Sequence, residues 1–154
     1  NVSVPKTLVR HLVEWTAKTQ VSDKCREVLL DIAATPISPE LIPADENGNI
    51  LQKTEDLVGP YELHDFFLYF FLRFGFRPQK LYFMAQQTFA GIYSEAEIKK
   101  WITVFMRRFF TQQFKRSCLP DGPKVGNCSL SPRGDWRMPS DASSSSWVDE
   151  CKLL

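Results

Sequence analysis

On the stretch PYELHDFFLYFFLRFG, residues 60–75, the rest of the architecture hangs. Pro60 suits a helix start and Gly75 a helix stop, so the stretch predicts one helix to about Arg73 with glycine at its C-cap. From Phe66 to Leu72 it is apolar all round, which places it in a large core or at a subunit contact. Seven apolar residues ending at Arg73 fall well short of the roughly 20 that cross a bilayer. On the C-terminal side, Pro78 opens another helix to about Phe89, with Leu81–Met84 as a weak strand candidate. Ser94-Glu95-Ala96-Glu97 reads as a capping box for a helix reaching about Phe114. On the N-terminal side, residues 5–18 carry an apolar face of Leu8, Val9, Leu12, Val13 and Trp15. Lys6, Arg10 and Glu14 fall opposite. Ser22 is the expected N-cap of a helix to about Ala33, with Cys25, Val28, Leu29 and Ile32 facing inward. Residues 34–59, with Pro36, Pro39, Pro43 and the Asn47-Gly48 turn, read as a long irregular acidic segment, the kind of loop that carries function. Ser117 to Ser140 is rich in Pro and Gly without periodicity, and Ser143–Ser146 is a spacer before an amphipathic turn around Trp147. The organisation expected is therefore a helical part over 1–116 and, over 117–154, a basic Pro/Gly-rich substrate-binding tail with a short terminal helix.

The 154 residues are 44% hydrophobic, 24% charged and 13% aromatic, with 12 Phe. That is a globular composition for one domain or part of one, and it excludes a disordered chain, which lacks the apolar surface to offset ordering entropy. No basic-then-apolar leader opens the chain, and its first residue is Asn. These features set the expectation of a cytoplasmic protein whose chain here starts partway along. The net charge of +1 hides an asymmetry: residues 99–137 hold nine Lys/Arg against two Asp/Glu, among Phe105, Phe109, Phe110, Phe114 and Trp136. Such a stretch calls for an anionic partner, phosphates foremost. Cys25, Cys118, Cys128 and Cys151 form no CxxC pair and only two histidines are present, so free thiols are expected and no metal site.

Catalytic signals are sparse. His11 and His64 sit in helical contexts without the base-and-orienter arrangement that a Ser or Cys nucleophile needs. Asp45-Glu46 and Glu55-Asp56 fall in or beside the acidic segment and read as solvated carboxylates. The tail carries more information: FKRSCLPDGPKVGNCSLSPRGDWRMPSD, residues 114–141. Lys115 and Arg116 follow a long helix, and Lys124, Arg133 and Arg137 come at turn-like spacing, a possible anion clamp. Arg forks match phosphate oxygens in pairs and Lys acts as a movable point charge. The triplet Arg133-Gly134-Asp135 matches an adhesion tripeptide, a chance match on this reading.

That tail string closely resembles the C-terminal end of bacterial glutamine-dependent NAD+ synthetases. VPKTLVRHLVEW (4–15) and TPISPELIPADENGNILQKTEDLVGPYELHDFFLYFFLRFGF (35–76) resemble the synthetase domain of the same family. The likeness runs from Asn1 to about Asp141. It implies a mainly α-helical fragment of an α/β ATP-pyrophosphatase-type domain, Rossmann-like and related to the adenine nucleotide α-hydrolases. The implied activity is that of an ATP-dependent carbon–nitrogen ligase. The nicotinate carboxylate of deamido-NAD is adenylated with Mg-ATP, pyrophosphate leaves, and ammonia made from glutamine by an upstream glutaminase domain forms the amide. By position, Lys6 corresponds to an ATP-contacting lysine. Ser38 falls where shorter ammonia-dependent relatives have an ATP-contacting Thr in Thr-Ala-Asp-Leu, so a hydroxyl is kept. Lys115 matches a lysine that contacts deamido-NAD, with Phe114 in place of the relatives' His. Arg116, Lys124, Arg133 and Arg137 extend this by charge alone.

The family's Ser-Gly-Gly-x-Asp-Ser phosphate loop is absent from these residues, as is the glutaminase with its catalytic cysteine. The resemblance thus implies a piece that does not turn over alone, holds no Mg2+ or ATP by itself, and sits in a homo-oligomer with no nucleic-acid or membrane partner. The alternative raised by charge and interleaved aromatics is a non-enzymatic single-strand nucleic-acid-binding module.

Overall fold

Among residues 3–35 and 54–154, which the computed structural model describes, the backbone forms eight helices and no strand. They divide into two compact units, Pro5–Tyr61 and Glu62–Leu154, the latter with Asn1–Val4.

The first unit is a helical hairpin. Helix α1 (Lys6–Thr19) starts after Pro5, whose fixed φ of −67° suits a helix entry. Helix α2 (Asp23–Ala34) starts after Ser22, at the expected N-cap position, although the Ser22 hydroxyl makes no capping bond. The Arg26 guanidinium donates to the Ala17 carbonyl at 3.1 Å, tying the start of α2 to the end of α1 around fully buried Ala17. Arg10 and Glu14 pair at 3.0 Å one turn apart on the polar side. The inward faces expected of these helices are a correction: Leu8, Leu12 and Trp15 are exposed, as are Cys25, Val28 and Ile32, and α2 buries no residue. Two helices share a single seam, so within this hairpin the outer part of each apolar stripe has nothing to pack on. A short helix α3 (Thr54–Val58) occupies part of the segment expected to be irregular throughout. The remainder of that segment, including Ser38, Asp45-Glu46 and Asn47-Gly48, lies outside the described residues.

The second unit is built on α4 (Tyr61–Phe74), α5 (Pro78–Thr88) and α6 (Glu95–Thr111). Leu63, Phe67 and Phe71 of α4, four residues apart, are buried in one cluster with Ile98, Ile102, Phe105 and Phe109 of α6 and Leu81 and Ala85 of α5. One side of α4 is in the core, while Tyr69 and, past the all-apolar stretch, Phe74 are exposed. Phe71 is the hub. Its ring meets Phe109 at 4.8 Å, Trp136 at 5.2 Å and Trp147 at 5.3 Å between centroids, two of them edge-to-face. That geometry sets a positive ring edge on a negative face and adds about 0.5–1.5 kcal/mol per pair beyond burial. Gly75 ends α4 at φ +66°, and its N–H closes the last turn on the Phe71 carbonyl at 2.9 Å. A side chain is strained in that left-handed region. Leu81–Met84 lies inside α5, so the strand candidate is corrected to helix; Pro78 at the first helical position sets the backbone for it.

Ser94 makes the complete capping box: its hydroxyl accepts from the Glu97 N–H at 3.3 Å, and its own N–H donates to the Glu97 carboxylate at 2.8 Å. The helix it opens ends at Thr111, short of the expected Phe114. Gln112, with ψ near 9°, offsets a separate turn, α7 (Gln113–Ser117). The final helix, α8 (Ser145–Lys152), presents buried Cys151 and half-buried Trp147 to the core. Arg77 fastens it, pairing with Glu150 at 2.5 Å while its guanidinium lies 4.9 Å from the Trp147 ring centre. All four cysteines are unpaired, and burial pushes the Cys151 thiol up to about 11. Among the described residues no helix is long and apolar enough to cross a membrane.

Candidate functional site

The most constrained piece of the basic stretch is α7, where one polar residue does the anchoring. Gln113 is fully buried, and a buried amide has to find partners. Its Nε2 donates to the Met138 carbonyl at 3.1 Å and its Oε1 accepts from Arg116 Nε at 2.8 Å. The other end of the Arg116 fork donates to the Phe109 carbonyl, and the guanidinium stacks 4.4 Å from the Phe109 ring centre. Burial lowers the Arg116 pKa, but the group stays charged at any ordinary pH. Ser117 bonds back to the Gln113 carbonyl at 3.1 Å and shares a 2.9 Å hydrogen bond with the Ser140 hydroxyl. The turn is therefore tied both to α6 and to residues 138–140 of the tail.

Phe114 and Lys115 stand on the opposite side of this turn. Both are exposed, Phe114 by 51%, and the Lys115 ammonium lies 5.9 Å from the Phe114 ring centre. Lys115 has no carboxylate partner among the described residues. An aromatic face beside an uncommitted ammonium offers a stacking surface and a charge for one anionic, ring-bearing ligand.

The other tail cations are used within the chain. Lys124 pairs with Asp135 at 2.7 Å. Arg133 pairs with Asp121 and donates to the Leu119 carbonyl, and Arg137 donates to the Arg133 carbonyl at 3.1 Å. These links fasten residues 119–124 to the turn at 131–136, which is closed by the Gly134 and Trp136 N–H groups on the Ser131 carbonyl. Both charges of the Arg133-Gly134-Asp135 triplet are thus spent inside the tail. Ser3 adds a link that sequence reading missed: its hydroxyl accepts from the Val125 N–H at 3.0 Å and donates to the Pro123 carbonyl at 3.3 Å. Trp136 packs against both Phe71 and Phe109, and its indole N–H finds no acceptor among the described residues. Nothing in the sequence marked Gln113 or Ser3, because a single Gln or Ser has no periodicity to read.

Lys6 lies in the other unit, exposed at the first position of α1. No acidic residue occupies that first turn, so a cation stands where the helix dipole favours an anion. Ser38 falls outside the described residues. Among the described residues, no three His, Cys, Asp or Glu side chains gather as a metal site.

These features describe a helical segment with a packed basic tail, and in sequence it is similar to one part of a much longer class of enzymes, the NAD-forming ligases. The glutamine-dependent NAD(+) synthetase of Mycobacterium leprae (strain TN) is 44% identical over 169 residues, covering 97% of this chain and 25% of the relative. The glutamine-dependent NAD(+) synthetases of Mycobacterium tuberculosis (strain ATCC 25618 / H37Rv) and Mycobacterium bovis (strain ATCC BAA-935 / AF2122/97) show the same identity and coverage. Over nearly its whole length the chain is thus similar to one part of these synthetases, and it spans about a quarter of their length. No protein-family model matches the chain.

Proposed function

We propose that this segment supplies the deamido-NAD contact of a synthetase that adenylates the nicotinate carboxylate of deamido-NAD with ATP, releases pyrophosphate, and amidates the adenylate with glutamine-derived ammonia. The observation that carries the reading is the exposed Phe114–Lys115 pair on an anchored turn, within a chain similar over 97% of its length to NAD(+) synthetases. Lys115 offers its ammonium to the anionic part of the dinucleotide, and Phe114 offers a face to one of its rings. Lys6, at the start of α1 and on a first turn without acids, is suited to an ATP phosphate. Magnesium serves this chemistry by neutralising the phosphates of ATP. Among the described residues no three His, Cys, Asp or Glu side chains gather to hold it. On this reading the segment alone is inactive, since the phosphate loop and the ammonia source belong to other parts of the enzyme.

The test is kinetic, on the complete enzyme that carries this segment. Lys115→Ala should lower kcat/KM for deamido-NAD by about 10- to 100-fold, the effect of losing a charged hydrogen bond of roughly 1.5–3 kcal/mol. Unchanged kinetics for deamido-NAD would remove Lys115 from the site. Lys6→Ala should instead raise the ATP requirement; a defect confined to deamido-NAD would mean that Lys6 has been given the wrong role.

The competing single-strand nucleic-acid reading needs aromatic faces for bases to stack on. Phe105, Phe109 and Phe110 lie in the core at 2–6% exposure, which leaves Phe114 as the exposed member of the five aromatics that motivated it. The observations therefore favour a single dinucleotide over a tract of stacked bases.

A further inference from the structure

We infer that Arg116 is a positioning residue: it locks α7 so that Lys115 and Phe114 face outward together, and it does not itself touch the anionic substrate. The inference rests on the reading of Lys115 given above.

The charge of Arg116 is committed three ways on its own chain. Its Nε holds the Gln113 side chain at 2.8 Å, its terminal nitrogen holds the Phe109 carbonyl, and its guanidinium face lies 4.4 Å from the Phe109 ring centre. The Phe109 carbonyl sits in the last turn of α6, whose carbonyls have no partners from within the helix. Gln113, fully buried, relays the hold to the Met138 carbonyl at 3.1 Å. One guanidinium therefore joins the end of α6, the start of α7 and the returning tail. Ser117 bonding to Ser140 at 2.9 Å makes a second, weaker tie at the far end of the same turn. Lys115 is the neighbour of Arg116 on a five-residue helix, so any rotation of α7 about its axis swings the ammonium with it. A lysine in place of Arg116 keeps the charge but cannot hold a side-chain amide and a backbone carbonyl with one planar fork.

The experiment is a double-mutant cycle in the complete synthetase, read as KM for deamido-NAD and, separately, KM for ATP. Arg116→Lys should raise KM for deamido-NAD about tenfold, the scale of a lost charged hydrogen bond, while KM for ATP stays within about twofold. Because Arg116 acts through Lys115 and Phe114, adding Arg116→Lys to Lys115→Ala should raise KM by clearly less than the roughly tenfold it causes alone, the remainder passing through Phe114. Multiplicative effects in the double variant, or equal rises in both KM values, overturn the inference and leave the role of Lys115 standing. A Lys115→Ala enzyme with unaltered KM overturns the parent reading and this inference with it. If Arg116→Lys does not fold, Gln113→Met decides. It removes the amide oxygen that Arg116 Nε holds and should raise KM for deamido-NAD about threefold, with KM for ATP within about twofold, in line with losing one hydrogen bond. An unchanged value for deamido-NAD overturns the inference.

Discussion

At the scale of single residues, chemistry legible in the sequence was the chemistry of charge, and it was only half informative. Counting Lys and Arg located the basic stretch, but it could not say which cations remain available. Lys124, Arg133 and Arg137 are held by Asp135, by Asp121 and by the Arg133 carbonyl respectively, while Lys115 is not so held. Those partners lie 4 to 12 residues away along irregular chain, where no periodicity predicts a pairing. His64 is a second case. Its place on a helix was readable, but its burial was not. Its ring meets Phe105 edge-on at 5.3 Å, and desolvation, opposed by Asp65 and assisted by Arg108, lowers its pKa below the usual 6.5. A group depressed in the folded state contributes stability above its unfolded pKa and loses it as pH falls through the folded value. The melting temperature of the complete enzyme should therefore begin to drop below about pH 6.5. A His64→Asn enzyme should lose part of that acid limb, and identical pH profiles for the two would show that His64 does not contribute.

At the scale of elements, local signals were reliable and long-range ones were absent. The Ser94 capping box and the Gly75 stop are written in neighbouring residues, and both are present as expected. Ser94→Ala should cost about 1 kcal/mol, the usual value of an N-cap, measured by denaturant midpoint at constant slope. A loss below a few tenths would mean that the box adds nothing in this context. Helix α3 escaped notice because five residues hold too little of a 3.6-residue period to detect. The apolar stripes of α1 and α2 were readable as stripes. What covers them was not, since a hydrophobic pattern names a face and leaves its partner open. The break at Gln112 was equally hidden, because residues on both sides of it favour helix.

At the scale of the molecule, the tail is part of the core. Read alone, residues 117–154 appeared to be a basic extension with a terminal turn. In the fold, Trp136 and Trp147 both pack on Phe71, and Phe110 stacks on Trp147 at 5.5 Å. This contact explains how a Pro/Gly-rich segment without helix or strand over 118–144 keeps a defined path. Trp147→Ala should cost about 3–5 kcal/mol, as for other large-to-small core changes, and should loosen residues 138–152 in hydrogen exchange. Exchange unchanged there would mean that α8 docks without its tryptophan. The α/β sheet implied by the family resemblance finds no counterpart among the described helices, and an all-helical segment neither supports nor opposes it. The proposed contact between Lys115 and deamido-NAD is tested most directly by titrating deamido-NAD, without ATP, into the complete synthetase and its Lys115→Ala variant by calorimetry. Kd should rise about 10- to 100-fold in the variant, as for a lost charged hydrogen bond; equal affinities for the two proteins would show that Lys115 does not touch this substrate.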